Sequence, residues 1–556
     1  MRSAFRGHHI GWMAALASAL ALACTEPPQA RDARQRPLSV GISSAPSTLN
    51  DVLSGGETIE RELFELLHLS LVEPSADLSS GPQTYAPELA ESWSFSDDRR
   101  ELTFVLRRDA RWSDGHPVSA ADVRFTWEAQ TSPETAWAFA DLKRHIADVV
   151  VVDEWTVRFL FDEVSATQLA DANEGVILPR HVWGELPFER WREEQAWFAD
   201  RMVSSGPYRV ARWKPAAAPE LVRNEQYFDP TLPRIDRVEL VVVADEGTQL
   251  RMLQSRELDF VAQLRPRNVA QVESSSWLRV IHYPRRQINF IAWNTRRPFF
   301  RSSRVRRALA HAVDRQSLVD TVLSGQALVA SSVVPSSFWA HDSSIQPWPF
   351  DLQEARRLLR EEGWIDRDGD DWLDRDGSTF RFELVTNAGS EVRWEALQVI
   401  RENLRRVGID ATISRLEITT AVSAMQSHEF DAALTAMSPD TTLDFSFTLH
   451  SGAIEGQYNF SAYTNPAVDA LIESINRADD PGEMAALAAQ VQRIVHHDQP
   501  MLLLWEPLGL AAATVELENV EPDAVSVLGS LPRWSWRSSS NALTEPLTSA
   551  ASRSPW

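Results

Sequence analysis

The sequence predicts an α/β protein built from more than one domain, and three observations carry that expectation. At 556 residues the chain is too long for one hydrophobic core, so two or three domains are expected. Residues 238–243 form a near-continuous β-branched run. A helical pattern bearing Leu250 and Leu253 follows, then Leu258-Asp259, the strand–helix–strand order of a parallel sheet. A second such segment lies beyond residue 285: Phe380, Phe382 and Leu384 alternate, Leu397, Ile400, Leu404 and Val407 recur at helical spacing up to Gly408, and Ile409, Ala411 and Ile413 alternate again.

The remaining elements follow in chain order. Leu38–Ile42 reads as a short strand, and residues 58–68 as a helix with Ile59, Leu63, Leu66 and Leu67 at helical spacing. Trp93 and Phe95 alternate with polar residues up to the turn Ser96-Asp97-Asp98, after which Leu102, Phe104 and Leu106 share one face opposite Glu101, Thr103 and Arg107. This is a hairpin with one buried side. Asp114-Gly115 then turns the chain, and Ser119 with Asp122 has the spacing of a capping box opening a helix whose inner face carries Val123 and Trp127. Residues 149–152 and Thr156–Phe161 form a strand pair, and 186–202, rich in Trp and Glu, is expected to be helical. Gly206-Pro207 fixes a turn before a strand. Val305, Ala308, Leu309 and Ala312 define an amphipathic helix, Asp314 caps the next and Gly325 ends it, and Asp351 with Glu354 opens another that stops at Gly363.

Net charge is −23, which disfavours binding to nucleic acid or to an anionic membrane face. The one cysteine, Cys24, rules out an internal disulfide and any CxxC site. Arg2 and Arg6 precede an apolar run over residues 10–23, too short to span a bilayer, and the chain then reads Leu20-Ala21-Leu22-Ala23-Cys24. This resembles a bacterial lipobox, with Cys24 as the lipidated N-terminus. Ordinary cleavage near Ala23 is the alternative, but it leaves a single Cys at that spot unexplained. Residues 1–24 are thus read as a lipoprotein signal peptide, 25–37 as a polar, Pro-containing linker, and 537–556, which lack apolar periodicity, as a disordered tail.

Several blocks then occur in a recognisable order: PELAESW; LTFVLRRDARWSDGHPVSAADVRFTW; Gly206-Pro207-Tyr208; RNEQYF at 223–228; Leu258-Asp259; INFIAWN at 288–294; and YNFSAYTNPAVD at 458–469. Over residues 38–507 the chain resembles the family 5 solute-binding proteins, the dipeptide-, oligopeptide- and nickel-binding receptors of ABC importers. It departs where Ser255-Arg256 replaces a usual Ser-Gly, and where Trp is missing near Ala436-Met437. The resemblance implies a two-lobed, type II periplasmic-binding-protein (Venus-flytrap) fold with an additional inserted domain. A discontinuous first domain would comprise 38–54, 203–283 and 500–536, the inserted second domain 55–202, and the second lobe 284–499. Two crossovers near Tyr283 and Pro500 would form the hinge.

The same resemblance implies function by closure around a ligand, without catalysis or cofactor. The protein would be a periplasmic monomer, held to the membrane only through its lipid anchor, capturing peptides or similar small solutes for an ABC permease. In peptide receptors of this family an Asp following a short strand meets the ligand amine. Asp440 is the first candidate here and Asp444 the second, with Trp293, Asn294 and Trp505 as pocket walls near the crossovers. Receptors for nickel chelates, haem or oligosaccharides on the same scaffold, and a secreted hydrolase on another fold, are the alternatives. The acidic run 366–376 has Asp at calcium-loop positions 1, 3, 5 and 9 but lacks the Gly at position 6 and the Glu at position 12. It is therefore read as a solvated loop, and no metal ligand is assigned. His496-His497-Asp498 reads as a polar helix end, and no GxSxG, HExxH, GxGxxG or P-loop spacing occurs.

Overall fold

The structure, a computed structural model, describes residues 36–537 except 57, 76, 215, 216, 440 and 479; the segment read as a signal peptide, Cys24 and the tail beyond Arg537 lie outside the described residues. Two large sheets organise the chain. The first has seven strands in the order Leu278–Tyr283, Gly509–Thr514, Phe260–Val261, Leu38–Ile42, Arg237–Val242, Glu220–Arg223, Tyr208–Arg212. Leu38–Ile42 runs parallel to both Arg237–Val242 and Phe260–Val261, so the predicted strand–helix–strand unit forms with the N-terminal strand inserted between its two strands. Its helix, Glu246–Gln254, is capped by Asp245 accepting from Thr248 N and buries Leu250 and Leu253.

Helix Thr58–Leu67 packs Leu63, Leu66 and Leu67 against Leu38, Val40 and Tyr208, so it joins the first domain's core rather than the inserted domain that the sequence assigned it to. The chain leaves at His68 and returns at Gly206. A Cβ on Gly206 would sit 2.8 Å from His68 N, Leu66 O and the Leu67 carbonyl carbon, which is why the turn before Tyr208–Arg212 needs glycine. Between these points lies an antiparallel sheet in the order Ala90–Phe95, Glu101–Leu106, Thr156–Phe161, Ile146–Asp153. Helix Ala120–Thr131 opens with the capping box between Ser119 and Asp122. The expected helix at 186–202 is instead a 3-10 turn, Phe188–Arg190, and a short helix, Gln195–Ala199. Trp191 packs edge-to-face on Trp183, Phe188 and Phe198, and this aromatic packing overrides the local helical bias.

The second sheet has six strands in the order Ala327–Val329, Met501–Pro507, Ile288–Trp293, Ala432–Met437, Arg381–Asn387, Asp410–Leu416. Ile288–Trp293 is buried along its whole length, because helices cover both faces: Ser303–Ala312, Leu352–Glu361 and Glu391–Arg405 on one side, Pro466–Arg477 and Pro481–Asp498 on the other. His496–Asp498 closes the last of these, with Gln499 in the left-handed region at φ 48° as its cap.

The first crossover, between Tyr283 and Ile288, lies where the sequence placed it. The second does not. Met501–Pro507 pairs with Ile288–Trp293 in the second lobe, and only Gly509–Thr514 returns to the first sheet, so the crossover is at Leu508 and not near Pro500. Met501 to Trp505 are all buried, and one more strand of the second sheet is what buries them.

Candidate functional site

A cleft opens where the two crossovers pass between the lobes. It has two chambers, of about 440 and 280 Å³, which share Glu246, Gln263, Tyr283, Arg285 and Gln287. The larger is walled by residues 264–267 of the first lobe and by Asn289, Trp505 and 389–393 of the second. The smaller is walled by Thr58, Ile59 and Glu62 on the first helix, the 523–528 loop, Arg286 and Ser438.

The chambers differ in charge. Arg265 and Arg267 of the larger one are paired, Arg265 with Glu246 at 2.5 Å and Arg267 across the lobes with Glu395 at 3.8 Å. Arg285 and Arg393 are different. Arg285 is exposed to the cleft and carries no hydrogen bond or ion pair among the described residues, while Arg393 Nε is buried without a partner. Burial holds the Arg393 guanidinium below its ordinary pKa. Arg393 is on the first turn of Glu391–Arg405, whose N-terminus faces the same chamber through Gly389 and Ser390. In the smaller chamber Glu62 accepts from Ser526 Oγ at 2.5 Å and from the N–H groups of Val527 and Leu528, both at 2.7 Å. Burial raises its pKa against those hydrogen bonds. The larger chamber thus holds the partnerless Arg393 Nε, the smaller holds Glu62, and Arg285 faces both.

The sequence candidates divide. Trp505 lines the larger chamber, with its ring almost wholly buried. Trp293 and Asn294 line neither chamber. Trp293 stacks on Phe300 at 5.0 Å inside the second lobe, and Asn294 Nδ2 donates to the carbonyls of His428 and Phe430 at 3.0 and 2.7 Å, clasping a loop to the end of its strand. Asp444 also lies off the cleft, accepting from Ser446 N at 2.8 Å. Asp440 lies outside the described residues; Ser438, two positions before it, reaches the smaller chamber. Sequence reasoning missed Arg285, Arg393 and Glu62, since each sits in an ordinary polar context and only the pairing of lobes makes them face one space. In the acidic run, the carboxylates of Asp366, Asp368, Asp370 and Asp374 come within 4.8 Å of one another. Asp366 there accepts from the N–H groups of Gly369 and Asp371.

The lobes also touch directly. Leu78, on the loop between strands Val72–Pro74 and Tyr85–Pro87 of the inserted domain, is buried in the second lobe's core with Val333, Val334 and Phe338, and Leu78 O accepts from Trp339 N at 2.8 Å. Arg286 donates to Ala524 O on one side at 3.1 Å and to Pro439 O on the other at 3.5 Å.

Residues 84–458 match the model of the bacterial extracellular solute-binding proteins, family 5 (middle region). The oligopeptide-binding protein AppA of Bacillus subtilis is 26% identical over 505 residues, covering 89% of this chain and 91% of AppA. The glutathione-binding protein GsiB of Salmonella choleraesuis is 25% identical over 510 residues, covering 89% and 92%. Among solved structures, AppA from Bacillus subtilis in complex with a nonapeptide superposes with a TM-score of 0.76 at 25% identity, covering 91% of this chain and 99% of that one.

Proposed function

Since the chain belongs to the family 5 bacterial extracellular solute-binding proteins, the substrate-capturing components of ABC importers, we propose that its own cleft takes oligopeptides and presents them to a membrane permease from a Cys24 lipid anchor. The observation that carries the reading is the polarity of the cleft. A peptide brings an ammonium and a carboxylate on one backbone. The unpaired Arg285 and Arg393 suit the carboxylate, the Glu62 end suits the ammonium, and Asp440, just beyond Ser438, remains the sequence candidate for that second contact. Trp505 supplies an apolar wall that tolerates varied side chains. A solute touching both lobes favours the closed arrangement over the open one, and the closed, loaded form is what the permease receives.

Native mass spectrometry of protein purified from its own envelope tests the reading. A mixture of short peptides released on unfolding is the expected result. A single defined metal chelate, haem or sugar overturns it, as does turnover of a substrate by the purified protein. For the anchor, the expected result is diacylglycerol mass on a mature N-terminal Cys24. A mature chain starting elsewhere overturns that part alone.

A further inference from the structure

The inserted domain carries a second cluster of ligating atoms, separate from the cleft. Asp114 and His116 sit on the turn that closes the Arg111–Pro117 bridge, and His181 is on the short helix Arg180–Trp183. One donor atom from each lies within 4.8 Å of the other two. His181 Nε2 is 2.7 Å from Asp114 Oδ2 and His116 Nδ1 is 3.3 Å from Asp114 Oδ1, while the two imidazole rings lie 4.4 Å apart, tilted by 31°.

We propose that Asp114, His116 and His181 form a binding site for one divalent first-row transition ion of borderline softness, for which zinc is the probe. A zinc ion held at about 2.0–2.1 Å by nitrogen and carboxylate oxygen separates its tetrahedral ligands by roughly 3.3–3.5 Å, and the three donor atoms already lie within 4.8 Å of one another. The donor set, two imidazoles and one carboxylate, selects zinc, nickel or copper over calcium or magnesium. The backbone under it is already fixed. Ser113 N donates to Ser204 O at 2.8 Å, Trp112 N to His116 O at 2.8 Å, and Gly115 N to Trp112 O at 2.8 Å. On the other side, Arg180 N donates to Asp122 Oδ1 at 2.9 Å, and the buried Trp112 ring backs His181 at 6.0 Å. Three ligands on two anchored segments leave the outer position to solvent, where His116 is largely exposed. A bound ion would staple the 111–117 turn to the 180–183 helix.

The test is calorimetric titration of zinc into the full chain in buffer containing millimolar calcium, which competes with zinc for any weak oxygen-only carboxylate cluster. One zinc per chain is expected, with H116A and D114N each weakening it at least about tenfold, the scale of losing one anchoring partner of a metal. His116 is exposed, so H116A should melt with the wild type in chelator, whereas added zinc should raise the melting temperature of the wild type alone. Absence of binding tighter than about 100 μM overturns the proposal. So does zinc binding that H116A leaves unchanged.

Discussion

Leu78 offers a direct handle on closure. It belongs by sequence to the inserted domain of the first lobe but is only 5% exposed, because it is sunk among Val333, Val334 and Phe338 of the second. The Arg267–Glu395 ion pair between the lobes is exposed and 3.8 Å long and contributes little, and Arg286 adds main-chain hydrogen bonds to either side. Truncating Leu78 to Ala removes about three methyl or methylene equivalents from an apolar site. At ~0.8 kcal/mol each this is about 2–3 kcal/mol, lost only from the closed form. The closed-to-open ratio should then fall by roughly 30- to 150-fold, and ligand affinity should fall with it wherever closure is part of binding. Small-angle scattering of the ligand-free protein reads the first effect as a larger radius of gyration, and calorimetry with a bound solute reads the second. If L78A keeps both the wild-type radius and affinity while melting several degrees lower, Leu78 is a fixed structural contact and the latch reasoning fails.

Three further outcomes are expected. R393Q should weaken a ligand with a free carboxylate by about 10- to 150-fold, the worth of a charge-assisted hydrogen bond of ~1.5–3 kcal/mol, and should barely affect the corresponding amide; equal losses on both would remove Arg393 from carboxylate recognition. G509A places a Cβ within 2.2–2.4 Å of the Tyr283 ring, so it should displace a residue shared by both chambers, cost about 1–3 kcal/mol in thermal stability and reduce affinity; binding within twofold of wild type would show that Tyr283 need not be held there. His68 is buried with neither ring nitrogen bonded, and burial lowers its pKa from 6.5 to about 3. Below pH 6.5 the unfolded chain takes up a proton that the folded chain refuses, so stability falls with falling pH, by about 2 kcal/mol at pH 5, and H68L should flatten that slope in denaturant titrations; an unchanged slope assigns it to other groups.

What was legible in the sequence follows the range of the interactions involved. The strand Leu38–Ile42, the capping box at Ser119 and Asp122 and the helix around Leu309 are written in local periodicity and cap chemistry, and they stand within a residue or two. The 186–202 segment misled because its composition is helical while its conformation is set by Trp183, Trp191 and Phe198 meeting in space. The second crossover was misplaced because a buried strand looks the same whichever sheet it joins; pairing of Met501–Pro507 with Ile288–Trp293 decides it. Trp293 was picked as a wall residue for its type, yet it is fully buried in the second lobe's core, with Phe300 and Phe382 against its ring. Arg393 carries no mark in the sequence, since an arginine on a helix's first turn ordinarily faces water. Only the folded cleft shows it as a guanidinium with a buried, partnerless Nε.

On the proposed function, the charge arrangement lets a strongly acidic chain accept an anionic group. A net charge of −23 repels a carboxylate at long range, but screening confines that field to about 8–10 Å at physiological ionic strength, and inside the cleft the near charges dominate. There, the Arg393 guanidinium and a helix N-terminus face one chamber, Glu62 borders the other, and Arg285 faces both. Keeping Arg393 partly buried and unpaired is unfavourable in the empty protein. A ligand carboxylate removes that penalty only when both walls surround it, so part of the binding energy is expressed as preference for the shut form. Leu78 adds an apolar contact that also exists only when the lobes meet. Capture and closure are then one equilibrium, and a solute reaching a single chamber should bind weakly without shutting the lobes.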